Sequence, residues 1–151
     1  MVFLNLKEGK DVGARVAKDF EVAIPSSLEE IASVERLAEK AADKMGFSEE
    51  EKDSIAIAVT EAVNNAILHG NKQDKQKQVR IKFLFEKERL TVKVKDQGEG
   101  FDPNKISDPL APENLLKESG RGIFILSSLM DEVKFNFDQN GTEIILVKEK
   151  K

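Results

Sequence analysis

The feature that most restricts the fold of this chain is a change in the spacing of its apolar residues. Between residues 27 and 69 they recur with a helical period, in two segments that each begin with a Ser-x-x-Glu capping box, at Ser27 and at Ser48. Further along, the period becomes two, which predicts a β-hairpin with strands at 79–85 and 90–94.

The remaining elements follow from the same criteria. They are a short strand at 20–24, a third helix at about 120–130, and a second hairpin with strands at 133–137 and 142–147. Because the strands have one polar face, only one face of the sheet would be covered by helices. The order β-α-α-β-β-α-β-β therefore predicts an α/β protein, a two-layer α/β sandwich with a mostly antiparallel sheet and helices on one face. We expect residues 1–16 to be an N-terminal extension or a loose strand, and residues 17–151 to form a single domain.

The composition argues against several classes of function. The 151 residues contain no cysteine and one histidine, so disulfides, thiol catalysis and metal sites built from cysteine or clustered histidines are not expected. The net charge of −4 argues against direct nucleic-acid binding, because such proteins are usually basic. No stretch is apolar enough for a signal peptide or a membrane span, so a cytoplasmic protein without membrane contact is expected.

Two polar residues lie at the border of the second helix's apolar stripe. Glu61 and Asn65 are four residues apart and therefore neighbours on one side of the helix. Their side-chain oxygens are of the kind that Mg²⁺ accepts. The pair also fits an ordinary amphipathic helix, in which polar residues border the core. His69 follows on the same side, where a cation near the helix C-terminus is favourable even without a catalytic role.

A second candidate segment is Asp96-Gln97-Gly98-Glu99-Gly100, directly after a predicted strand. Gly98 and Gly100 would let the backbone turn sharply and approach a ligand, and the Asp96 carboxylate could accept from an amino group such as N6 of adenine. The spacing is neither a dinucleotide fingerprint nor a P-loop, and the acids of a calcium loop are missing. A plain loop with glycines at its turns is the alternative.

A third candidate segment begins the third predicted helix. Gly120 and Gly122 stand where each glycine costs about 1 kcal/mol relative to alanine. Backbone N–H groups at a helix N-terminus, beside Arg121, could bind an anion, although a tight loop-to-helix junction is an equal explanation. The rest of this helix is apolar nearly all round, which predicts that it is buried. The preceding loop, 102–119, has the length of a lid.

Taken together and in this order, the three segments resemble the N-box and the two glycine boxes of the GHKL (Bergerat) ATP-binding fold. They read EAVNNAILHG, DQGEGFDP and SGRGIFIL, and the resemblance extends over about residues 26–147. Within that superfamily the small single-domain format and the first motif most resemble the anti-sigma-factor serine/threonine kinases of bacterial partner-switching systems.

This resemblance implies ATP and Mg²⁺ as cofactors and a role for each matching residue. Asn65 would hold Mg²⁺, Glu61 would be the general base, and Asp96 would bind the adenine amino group. The other implied nucleotide contacts are Gly98, Gly100, Ser119, Gly120, Arg121 and Gly122. Members of the kinase group often carry a basic residue just before Ser-Gly, but Glu118 stands there, so Lys117 or Arg121 would have to replace it; His69 is a further possible phosphate contact.

The resemblance implies a protein kinase that phosphorylates a serine on an anti-anti-sigma (STAS-type) protein, sequesters a sigma factor and forms a homodimer. The alternative is a regulator of the same fold that binds its partner under nucleotide control without chemistry. Dependence of phosphoryl transfer on Glu61 would distinguish the two.

Overall fold

A computed structural model of the chain describes residues 2–7, 19–98 and 118–151. Six strands of these residues form one sheet: β1 (Val2–Lys7), β2 (Asp19–Pro25), β3 (Gln78–Glu86), β4 (Arg89–Lys95), β5 (Glu132–Asp138) and β6 (Gly141–Glu149). Their spatial order is β1-β2-β3-β4-β6-β5, and every neighbouring pair is antiparallel.

The helices of the described residues are α1 (Ile31–Met45), α2 (Glu49–Asn65) and α3 (Glu118–Leu129). Alternate residues of β3 and β4 are fully buried while those between them are exposed or half-buried. The sheet is therefore covered on one face, and the predicted α/β fold class with helices on that face is confirmed. Its core lies between sheet and helices and includes the stacked rings of Phe20 and Phe83, with centroids 4.8 Å apart.

The two predicted capping boxes have different outcomes. At Ser48 the box is present: its hydroxyl accepts from the Glu51 N–H at 3.1 Å, and the Glu51 carboxylate accepts from the Ser48 N–H at 3.1 Å. At Ser27 the hydroxyl accepts from the N–H of Glu29 instead, because the chain enters α1 through a short 3₁₀ turn, Leu28–Glu30.

The second helix does not continue as an α-helix to residue 69. It ends at Asn65 and is followed by a π-helical turn, Ala66–Gly70, which is closed by a hydrogen bond of 2.8 Å from the Asn71 N–H to the Ala66 carbonyl. Such turns widen the helix locally and are frequent at functional sites. Here the turn brings Gly70 against the residue that follows β4.

The expectation that the third helix is buried all round is wrong. Leu126 and Met130, the residue after its end, are buried, but Phe124 is 61% exposed and Ile125 is 40% exposed. The reason is that the packing of α3 against α2 and β5 covers only part of the helix, as the exposed fractions of Phe124 and Ile125 show.

Candidate functional site

The centre of the site is Asp96, the first residue after β4, which is 4% exposed. One carboxylate oxygen, Oδ1, accepts hydrogen bonds from the N–H groups of Gly98, at 3.0 Å, and Thr142, at 3.1 Å. The Asp96 N–H in turn donates to the Thr142 carbonyl at 3.0 Å. The side chain is thus held between the end of β4 and the start of β6, and Oδ1 is hydrogen-bonded to the backbone.

Three glycines surround Asp96 because the backbone approaches it too closely for a side chain. A Cβ placed on Gly70 would overlap the other carboxylate oxygen, Oδ2, and a Cβ on Gly98 would overlap the Gly70 carbonyl. Gly141 has a φ of 135°, and its Cβ would lie 2.9 Å from Asp96 Oδ1. Gly70 and Gly141 are not among the predicted site residues, because their contact with Asp96 depends on how the chain folds.

A buried polar cluster supports the same turn. Asn71 is 1% exposed, and its carboxamide oxygen accepts from the Gln97 N–H at 2.7 Å. Its Nδ2 donates to the Ser26 hydroxyl at 2.8 Å and to the Gln78 carbonyl at 3.0 Å. Asn71 is not among the predicted site residues, and its only signal in the sequence is its place directly after EAVNNAILHG.

Glu61 and Asn65 lie together on α2, as their spacing predicts, and both are half-buried. Gly122 of α3 faces both of them: a Cβ on it would overlap Glu61 Oε1 and lie 3.1 Å from Asn65 Nδ2. The carboxylate and the carboxamide are therefore held beside the first turns of α3. A hydrogen at this position of α3 is what allows α2 and α3 to approach.

The remaining predicted site residues are described in part or not at all. Gly100 and Lys117, with the loop at 99–117, lie outside the described residues. Ser119, Gly120 and Arg121 belong to the first turn of α3, where only the backbone is described. Because α3 begins at Glu118, Gly122 lies beyond the four N–H groups that a helix leaves unpaired. His69 is exposed on the π-helical turn.

Two further findings concern the described residues only. Across residues 2–7, 19–98 and 118–151, no three His, Cys, Asp or Glu side chains are grouped so that they could hold a metal ion by themselves. In the same part of the chain, no helix is both long and apolar enough to cross a membrane.

Comparison with known proteins agrees with this geometry. Residues 24–148 match the family described as histidine kinase-like ATPase domain. Serine-protein kinase RsbW of Bacillus licheniformis is 34% identical over 134 residues, which are 85% of this chain and 84% of that protein. RsbW of Bacillus subtilis (strain 168) is 31% identical over 134 residues, which are 85% of this chain and 83% of that protein.

Two solved structures share the fold. The RsbU and RsbW domains of a Mycobacterium tuberculosis protein superpose with a TM-score of 0.66 at 14% identity, over 89% of this chain and 34% of that one. The histidine kinase domain of a blue-light activated kinase of Erythrobacter litoralis superposes with a TM-score of 0.54 at 18% identity, over 84% of this chain and 62% of that one. This chain spans less than two thirds of either solved chain.

The fold and the arrangement of its motifs define a nucleotide-binding domain of the histidine kinase-like ATPase type. The chain belongs to that family and, within it, to the group of anti-sigma-factor serine kinases that includes RsbW. The predictions of the family, of ATP use and of a protein serine/threonine kinase are confirmed.

Proposed function

We propose that this kinase transfers the γ-phosphoryl group of ATP to a serine of an anti-anti-sigma protein of the STAS type, and that it binds a sigma factor when that partner is phosphorylated. The observation that carries the proposal is the contact between Gly122 of α3 and both Glu61 and Asn65 of α2. It supports one site in which a carboxylate and a carboxamide lie beside a helix start suited to phosphate.

Asp96 is the proposed adenine contact. Because Oδ1 already accepts two backbone hydrogen bonds, Oδ2 is the oxygen left to accept from the adenine N6 amino group. Oδ2 lies where a Gly70 Cβ would be, so glycine at this position is what lets the carboxylate take its place. Gly98 and Gly100 would line the same pocket. Guanine has a carbonyl oxygen at the corresponding position, so this arrangement favours ATP over GTP.

Asn65 is the proposed Mg²⁺ ligand, with ATP phosphate oxygens completing the coordination. The donor set fits, because a carboxamide oxygen is a hard ligand and Mg²⁺ is commonly held by few protein groups plus phosphates. When bound, Mg²⁺ neutralises charge on the transferring phosphoryl group. The proposed phosphate contacts are Ser119, Gly120 and Arg121, which belong to the first turn of α3. Lys117 and His69 are further candidate contacts to the phosphates.

Glu61 is the proposed general base. The serine hydroxyl oxygen of the partner attacks the γ-phosphorus, Glu61 takes the hydroxyl proton, and the bond to the β–γ bridging oxygen breaks so that ADP leaves. Glu61 and Asn65 are one helical turn apart, which supports a base and a metal ligand that would face the same phosphoryl group. Phosphoryl transfer depends mainly on positioning and charge neutralisation, which these few residues supply.

The test is transfer of label from γ-³²P-ATP with Mg²⁺ to the anti-anti-sigma protein of the same genome. Glu61→Gln should lower the transfer rate by about 100-fold or more while ATP affinity stays near that of the wild type. Glu50→Gln, an exposed glutamate in the first turn of α2, is the matched control and should transfer at the wild-type rate. Wild-type transfer by Glu61→Gln would contradict the role of Glu61. Absence of transfer by the wild-type chain would favour the non-catalytic regulator.

We also infer that the protein is a homodimer, as the family resemblance implies. We infer that it works in the cytoplasm, because a sigma factor acts there with RNA polymerase. Light scattering coupled to size exclusion should give about twice the monomer mass, and a monomer mass would contradict the inference.

A further inference from the structure

Asn71 lies directly after the first motif, and its buried carboxamide makes three hydrogen bonds. Two of these bonds reach segments that are remote in sequence, the residue after β2 and the turn after β4, and the third reaches the first residue of β3, seven residues along the chain. Asn71 is 1% exposed, so these bonds form in a low-dielectric environment, where an unpaired partner is costly.

The cluster continues beyond Asn71. The Ser26 hydroxyl, which accepts from Asn71, donates to the Lys77 carbonyl at 2.7 Å. The Gln97 side chain accepts from the Gln78 N–H at 2.6 Å. The turn that carries Asp96 is therefore tied to the start of β3 through Gln97 and to the exit of α2 through Asn71.

The residues on either side of these bonds form the adenine end of the site. Gly70 directly precedes Asn71 and lies against Asp96 Oδ2, while Gly98 directly follows Gln97 and lies against the Gly70 carbonyl. The hydrogen bond from the Gln97 N–H to Asn71 therefore joins the turn after β4 to the end of the π-helical turn, next to the contact between Gly98 and Gly70. A shift of either segment moves Asp96 relative to Gly70.

We propose that Asn71 is a positioning residue for adenine recognition: it fixes the Asp96 carboxylate against Gly70 and so sets the preference of the kinase for ATP over GTP. This inference rests on the proposed role of Asp96 as the adenine contact. The part of Asn71 that matters is the oxygen that accepts from Gln97, because of the three Asn71 bonds it is the one that reaches the turn. The bonds from Nδ2 anchor Asn71 to the sheet and contribute to stability.

The experiment measures the dissociation constants of ATP and GTP, with Mg²⁺, together with the melting temperature of each variant. Asn71→Ala should lower the preference for ATP about tenfold, by weakening ATP and leaving GTP unchanged. Asn71→Ser, whose side chain is too short to span from Ser26 to Gln97, is measured beside it and should show the same loss, so a poorly folding alanine variant does not prevent the test.

Two matched variants separate positioning from stability. Ser26→Ala and Asn71→Asp should both lower the melting temperature. Because both variants keep an acceptor for the Gln97 N–H, they should bind ATP in preference to GTP as strongly as the wild type does. If either loses the preference in proportion to its loss of stability, Asn71 has only a structural role and the proposal is wrong. An unchanged preference in Asn71→Ala or Asn71→Ser would also overturn it.

Asp96→Asn separates this inference from the proposed function. Its preference for ATP should collapse, because an amide can present a donor to adenine in place of the acceptor. A wild-type preference in Asp96→Asn contradicts the adenine role of Asp96. A wild-type preference in Asn71→Ala, beside a lost one in Asp96→Asn, contradicts the role of Asn71 alone.

Discussion

At the scale of single residues, glycines set the closest contacts of the site. Gly70 has no room for a Cβ because Asp96 Oδ2 lies there. Gly70→Ala should therefore displace the carboxylate and weaken ATP binding about tenfold or more, as measured by calorimetry. Gly46→Ala is the control: Gly46 ends α1 with a φ of 77°, so alanine should lower stability by about 1 kcal/mol without changing ATP affinity. Equal ATP affinity in the wild type and Gly70→Ala would contradict the close approach.

Gly122 makes the corresponding contact at the proposed phosphate end of the site. A methyl group there would overlap Glu61 Oε1, so Gly122→Ala should push the proposed base away from its position. We expect the rate of label transfer at saturating ATP to fall about 100-fold, since misplacement by about 1 Å has effects of that size. The rate is measured with the anti-anti-sigma protein as substrate. A variant that transfers label as fast as the wild type would show that α2 and α3 are not held this closely in solution.

The placement of the candidate residues was predictable where a local pattern carried it. Glu61 and Asn65 are neighbours on one side of α2, as their i, i+4 spacing predicts, and Asp96 follows a strand, while their roles rest on the family resemblance and stay predictions. Asn71 and Gly141 were not predictable in this way. Their contacts depend on which strand ends lie side by side and on a π-helical turn, and neither feature has a local sequence signal.

At the scale of elements, the capping box that begins α2 makes stability depend on pH. The Ser48 backbone N–H, which donates to the Glu51 carboxylate, is the main cause that lowers the pKa of Glu51 below its ordinary value of 4.5. Since the folded pKa is the lower one, the stabilisation is complete above about pH 4.5 and is lost as the pH falls through the folded pKa.

Glu51→Gln should therefore lower the free energy of unfolding near neutral pH, and this difference should disappear in acid. Urea unfolding at about pH 7 and at about pH 3 measures it, with Glu50→Gln as an exposed control in the same helical turn. A difference between Glu51→Gln and the wild type that stays the same at both pH values would show that the charge of Glu51 does not stabilise the cap.

The third helix is where sequence patterning failed at this scale. Its apolar residues continue nearly all round, so no periodicity distinguishes the inner face from the outer one. Phe124→Ala should change stability by no more than about 0.5 kcal/mol because the ring is 61% exposed, whereas Leu126→Ala, two residues away, should cost about 2 to 5 kcal/mol. Chemical unfolding of the pair measures this contrast, and equal losses would contradict the one-sided burial of α3.

At the scale of the whole molecule, the proposed site connects α2, α3 and the ends of β4 and β6. A ligand that joins these elements in the folded state alone must raise the melting temperature by mass action. ATP with Mg²⁺ at about 100 times its dissociation constant should stabilise the chain by about 2.7 kcal/mol, a rise of about 5 to 10 °C for this size. Thermal unfolding with GTP instead should give a smaller rise, and no rise with ATP would contradict nucleotide binding.

The architecture was largely predictable from period and capping, because antiparallel strands with one polar face admit few arrangements. The strand order could not be read in the same way. β6 lies between β4 and β5, and this placement puts Thr142 beside Asp96, a long-range contact without any local signature.

We propose that segments separated in sequence form one site for ATP and Mg²⁺, with adenine at Asp96 and the phosphates at Asn65. Calorimetric titration of ATP with Mg²⁺ into the wild type, Asp96→Asn and Asn65→Ala tests both ends together. We predict that each variant, while keeping its fold, loses affinity for ATP about tenfold or more. Binding of ATP by both variants with the affinity of the wild type would contradict the claim.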